Sequence, residues 1–239
     1  MTYRSLTANE IAQLQAQHCT CDDWNNLSVH PNFNPNYVKH VHFSGKVRIG
    51  FMDKTFTLEG GIPRHSGLYH SSIHNCNIGN NVYISRIHRY IANYDIADNC
   101  YIEDTECIAT TCASTFGNGI KVSVLNETGG RSIAICNKLS SQLAYIMTLY
   151  RHRAKTIERI DQVIQEYAAS IQSSQGYIGE NVQITSCGNI KNVYIGNNTH
   201  IDSANELENG SINSNAIDPI YIGNGVMAKN FILSFNKSL

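Results

Sequence analysis

The chain has 239 residues, 42% of them hydrophobic and 15% charged, and 18 Lys+Arg stand against 19 Asp+Glu for a formal net charge of −1. Near-neutrality excludes a nucleic-acid partner gripped through its phosphates. There is no run of 18 apolar residues, and Met1-Thr2-Tyr3-Arg4 leads into polar sequence without a signal-peptide core. A cytoplasmic protein with no membrane partner is therefore expected.

Residues 1–36 read as an N-terminal helix and lead-in. Thr7-Ala8-Asn9-Glu10 has the form of a capping box, and Ile11, Leu14 and His18 follow on one helical face. Cys19 and Cys21 stand one residue apart, a poor spacing for a metal, and no second pair completes a zinc site. No metal is expected, and the eight cysteines read as free thiols, Cys100 serving as a small interior hydrophobe.

Residues 37–115 read as a first block of β-coils. From Tyr37 to Ile73 the text is strand-like but irregular (Val41, Phe43, Val47, Ile49, then Phe56, Leu58, Ile62, Leu68), as terminal repeats commonly are. From Ile78 to Ala109 a beat of six sets in. Ile78, Ile84, Ile96, Ile102 and Ile108 share one grid, with Tyr90 in the remaining slot. Neither the helical period nor the strand period of two produces this spacing. Ile78-Gly79-Asn80-Asn81-Val82-Tyr83-Ile84 is answered eighteen residues on by Ile96-Ala97-Asp98-Asn99-Cys100-Tyr101-Ile102. The pattern predicts a solenoid of triangular coils, each hexad supplying one short strand and one corner. Grid isoleucines point inward, and the residue four later (Val82, Cys100) shares the interior, stacked on the next coil at about 4.8 Å. Corners such as Gly79-Asn80-Asn81 and Gly196-Asn197-Asn198 supply residues that accept positive φ.

Residues 116–175 read as an insert. Ile120, Val122 and Val124, then Asn126-Glu127-Thr128-Gly129-Gly130-Arg131, then Ile133 and Ile135 have the form of a β-hairpin. Leu139, Leu143, Ile146, Met147 and Tyr150, followed by Ile157, Ile160, Ile164, Tyr167 and Ile171, predict two helices broken at Arg151-His152-Arg153. Residues 176–239 read as a second β-block, in which Tyr177-Ile178-Gly179, Tyr194-Ile195-Gly196 and Tyr221-Ile222-Gly223 resume the beat. The glycines of these markers, Gly179, Gly196 and Gly223, are unevenly spaced, which predicts at least one corner with a deletion and one with an insertion near Glu206 to Asp218. The final residues run out in mid-strand, the form of a fragment of a longer protein.

These isoleucine hexads resemble those of hexapeptide-repeat proteins, the left-handed parallel β-helix class that includes many acyltransferases. The left hand is implied by that resemblance and not by the spacing. The segment from Phe116-Gly117-Asn118-Gly119 through Leu139-Ser140-Ser141-Gln142 to Leu149-Tyr150-Arg151-His152-Arg153 further resembles an uncharacterised bacterial family of this type whose members are much longer than this chain. The resemblance implies a homo-oligomer, a trimer foremost, and coenzyme-A-dependent acyl transfer to a sugar or sugar nucleotide. Acetyl- or acyl-coenzyme A would then be the cofactor and a corner or cleft histidine the general base.

His65, His70, His74 and His88 are candidates for that base. His88 stands out because Ile84 plus four is an interior slot whose equivalent one coil on is Glu106, a carboxylate able to orient the imidazole; a corner that bulges outward would leave His88 merely solvated. Asn126, Glu127 and Arg131 around the Gly-Gly turn, and Arg151 and Arg153 between the helices, are candidate contacts for phosphate or carboxylate. Each also has a local reading, as a turn or as cations at a helix terminus. A tyrosine precedes the grid isoleucine in each regular coil, so Tyr83 and Tyr101 are expected on an outer aromatic stripe at the subunit interface, the alternative being cover by the protein's own helices. The alternative to an enzyme is a non-catalytic scaffold or ligand-binding protein.

Overall fold

The computed structural model describes residues 3–123 and 131–234. The protein is mainly β, with three α-helices among the described residues and one large sheet of 17 strands. That sheet is parallel throughout except where Arg4–Ser5 runs antiparallel to Leu27–Val29.

Its strands ladder in three columns that the chain visits in turn. Val38, Leu68, Ile84, Ile102, Ile184, Ile201 and Ile222 pair in register in the first. Phe43, Ile73, Ile91, Ile108, Ile190 and Leu207 form the second. Val29, Ile49, Ile78, Ile96, Ile178, Ile195 and Ile212 form the third. Nearly all of these side chains are fully buried in one continuous core. A β-branched residue recurring at one position per rung packs on its own kind above and below. Val82 and Cys100 share the interior, as expected.

Within the regular stretch from Ile78 to Ala109 the beat of six shifts at one strand. In the Tyr83–Ala92 strand the register shifts between Ile87 and Tyr90, so Ile91 and not Tyr90 meets Ile108. The extra residue is a bulge. It turns Ile87 inward opposite Thr105 and leaves His88 and Arg89 outside. A second departure lies at the start. Thr20–Cys21 already pairs in parallel with Val38–Ser44, so laddering begins within the segment read as helix and lead-in. The first helix, α1 (Ala8–Ala16), does carry its capping box: the Thr7 hydroxyl accepts from Glu10 N, and the Glu10 carboxylate accepts from Thr7 N at 2.8 Å.

Two segments leave the ladder without disrupting it. The hairpin Thr55–Thr57 with Pro63–His65 interrupts the passage from Ile49 to Leu68. The larger insert follows Ala109, and Gly176–Ile178 rejoins directly on Tyr94–Ile96. Here Tyr94, wholly buried, both donates to Val193 O (2.8 Å) and accepts from Val193 N (3.2 Å) through its hydroxyl. A Cβ on Gly176 would stand 2.5 Å from the Tyr94 ring, so only glycine fits the rung above. Within the insert, Lys121–Ser123 pairs with Ser132–Ala134, and α2 (Ser141–Leu149) and α3 (Ala154–Ser170) pack on it around Ile133, Ala134, Cys136, Met147 and Ile164. Of the residues read at helical spacing in α2, Met147 is buried in that contact, whereas Ile146 is 38% exposed.

The tyrosines lie outside the columns as expected, but no subunit is needed to cover Tyr83 and Tyr101. Their rings stack at 4.7 Å with 7° between planes, and Phe56 of the small hairpin closes edge-on over Tyr101 at 5.4 Å. They are only 5% and 2% exposed within one chain. The expected interface through these two residues is therefore corrected.

Candidate functional site

Each passage of the chain turns corners in the left-handed backbone region, where an L-residue other than Gly or Asn costs about 1–2 kcal/mol. After the second column the turning residue is asparagine at 75, 93, 192, 209 and 230, and after the third it is asparagine at 81, 99, 181 and 198. After the first column it is His18, His40, His70, Arg86, Asp104, Ser186 and Ser203, with φ between 46° and 61°. This corner carries reactive side chains where the backbone alone would select amides. Unusual residues in strained conformations mark candidate functional sites.

The side chains form a line. The imidazoles of His18 and His40 stack at 5.0 Å and 15°, and those of His40 and His70 at 4.6 Å and 9°. The His40 pKa is lowered, first by desolvation and then by repulsion from His70, His18 and Lys39. On the next rungs Arg86 pairs with Glu103 at 3.1 Å, and His88 Nε2 lies 2.9 Å from Asp104 Oδ1. Glu103 is nearly buried and also accepts from the Tyr101 hydroxyl at 2.6 Å. Burial, reinforced by this carboxylate, pushes the Tyr101 phenol well above the usual tyrosine range. His18, His40, His42, His70, His88 and Arg89 line a shallow groove of about 300 Å³ along the corner.

The predicted site residues are dispersed. His88 lies at the corner, but exposed outside the core, and its carboxylate is Asp104 and not Glu106. The bulge at Ile87–Tyr90 is the reason, because it replaces the expected His88–Glu106 rung with Ile87–Thr105. His70 belongs to the imidazole stack. His65 lies flat on Tyr37 at 3.9 Å and donates to Ser66 O, while His74 bridges Ser44 and Asn75. Asn126 and Glu127 fall outside the described residues. Arg131 is exposed ahead of the Ser132–Ala134 strand. Arg151 donates to Ser132 O at 2.8 Å, and Arg153 is exposed at the start of α3. Arg151 lines a different cleft from His88, beside Lys121 and Asp161. Sequence reasoning missed His18, His40, His42 and Asp104. Their signal was faint, since His18, His40 and His70 precede the regular hexads and are spaced by 22 and 30 residues.

Among the described residues no group of three or more His, Cys, Asp or Glu is arranged to hold a metal ion. All eight cysteines are free.

The architecture is that of a mainly β protein built on a large, mostly parallel sheet, with a histidine-lined corner on its surface. The chain belongs to the family described as a domain of unknown function (DUF4954), which it matches over residues 3–239. It is also 27% identical, over 98% of its length, to an uncharacterized protein of Treponema pallidum (strain Nichols). It spans about a third (34%) of that relative's length. No solved structure matches the chain significantly.

Proposed function

We propose that the chain is a left-handed parallel β-helix of the hexapeptide-repeat type whose corner groove transfers an acyl group from coenzyme A to a hydroxyl or amine of a sugar or sugar nucleotide. The observation that carries this reading is the His88–Asp104 pair at 2.9 Å. With Nε2–H donated to Asp104, Nδ1 keeps its lone pair and removes the acceptor's proton as the acceptor attacks the thioester carbon. The C–S bond breaks, and the imidazolium, steadied by Asp104, returns the proton to the departing thiolate. Arg86 and Arg89 supply cations for the donor phosphates. Glu106, Arg131, Arg151 and Arg153 have no part in this scheme. A trimer in this reading uses a surface other than Tyr83 and Tyr101.

The test is coenzyme A release from acetyl-coenzyme A across a panel of sugars and sugar nucleotides. His88→Ala lowers turnover roughly a hundredfold and Asp104→Asn also lowers it, both without moving the melting temperature. Release no faster than the enzyme-free blank for every acceptor would refute the proposal.

A further inference from the structure

The helix α2 is apolar on two opposite faces. Leu143, Ala144 and Met147 pack inward against the insert's core. Tyr145, Ile146, Leu149 and Tyr150 fall at i, i+1, i+4 and i+5, a single stripe on the other side. They are 56%, 38%, 44% and 45% exposed. A helix apolar all round is normally buried, and a contiguous stripe of this kind calls for a cover. The Tyr145 and Tyr150 rings lie 6.2 Å apart, and His152 stands 5.7 Å from Tyr150. The stripe runs straight into Arg151, His152, Arg153 and Lys155, all exposed, with Glu158 the one carboxylate in the following turn.

We propose that this tip of the insert docks on an anionic lipid surface, its apolar stripe at the acyl boundary and its cations at the head-group phosphates. The cationic end selects an anionic partner. A second copy of the chain fits poorly, because an isologous contact would set Arg151, Arg153 and Lys155 against their own equivalents. A protein partner also fits poorly. The stripe occupies about one and a half helical turns, roughly 8 Å, whereas a stable interface takes about 800 Å² from each side. Tyrosine and leucine beside arginine is the composition of segments that lie at the lipid–water boundary. Among the described residues no helix is long and apolar enough to cross a membrane, so the contact is peripheral. The expectation of no membrane partner rested on the lack of a long apolar run, and a stripe on one helical face produces none.

Co-sedimentation of the 239-residue chain with vesicles tests the proposal, using phosphatidylcholine alone and phosphatidylcholine mixed with phosphatidylglycerol. Binding to the mixed vesicles, weakened by salt, is expected. Leu149→Asp abolishes it, and the double variant Arg153→Gln, Lys155→Gln lowers it roughly fivefold per cation removed. Neither change should move the thermal transition, since all three positions are exposed. Equal binding to neutral vesicles, or none to either, would overturn the proposal. So would light scattering that shows a dimer dissociated by Leu149→Asp, because the stripe would then be a self-interface.

Discussion

The bulge in the Tyr83–Ala92 strand offers a sharp test of the fold, because the beat of six and the observed register name different residues as core. The beat places Tyr90 inside, whereas the structure buries Ile91 completely, between Ile73 and Ile108. Ile91→Ala removes three carbons from the centre of a stack whose neighbours are β-branched and stiff, so the site collapses little. Isoleucine-to-alanine changes in such settings cost about 2–5 kcal/mol, and the upper half of that range is expected here. For a chain of this size each kcal/mol moves the melting temperature about 2–4 °C, so a drop of roughly 7–20 °C should appear in calorimetry or circular dichroism. Tyr90 is half-buried outside, beside Ala92, Cys107 and Ala109, with Arg89 over its ring at 5.5 Å. Tyr90→Ala should cost only about 1 kcal/mol. A larger loss for Tyr90→Ala than for Ile91→Ala would show that the unbroken hexad, and not this register, describes the protein.

In the insert, Ile164→Asp places an unpaired charge at a 3% exposed position and should cost several kcal/mol, while Ile146→Asp should stay within about 0.5 kcal/mol; urea melts of the two variants compare them directly. At the N-terminus, the Arg4 guanidinium, aided by Thr7, holds the Glu10 carboxyl at about 2, below the 4.5 of a free group. A carboxyl with a depressed pKa stabilises the fold fully above about pH 4.5 and loses that contribution as the pH falls toward 2. The gap in melting temperature between wild type and Arg4→Ala should therefore be constant above pH 4.5 and shrink below it. Burial raises the Cys76 and Cys100 thiols to about 12. Ellman's reagent should accordingly modify exposed Cys112 at once and reach Cys76 and Cys100 only on unfolding; rapid reaction of all eight thiols in the native protein would contradict the core.

Much of this protein was legible in its letters, because each strand of the parallel ladder repeats one local problem. An inward isoleucine at every rung and a glycine or asparagine at a turn are local requirements, so the strands around Ile78–Ala109, the capping box of Thr7 and the two helices of the insert could all be read from spacing and residue type. Three features were decided only in the folded chain. The register shift at Ile87–Tyr90 depends on which residues lie opposite on neighbouring rungs, and it moved His88 from the interior to Asp104. Tyr101 is covered by Phe56, 45 residues earlier in sequence, and Tyr83 lies between the rings of Tyr69 and Tyr101. The imidazole line of His18, His40 and His70 exists because three irregular passages bring one corner into alignment, and no period in the sequence marks it. Local periodicity determines what one strand and its turn look like; which side chains meet between neighbouring strands is set by register and insertions, and those are properties of the assembled sheet.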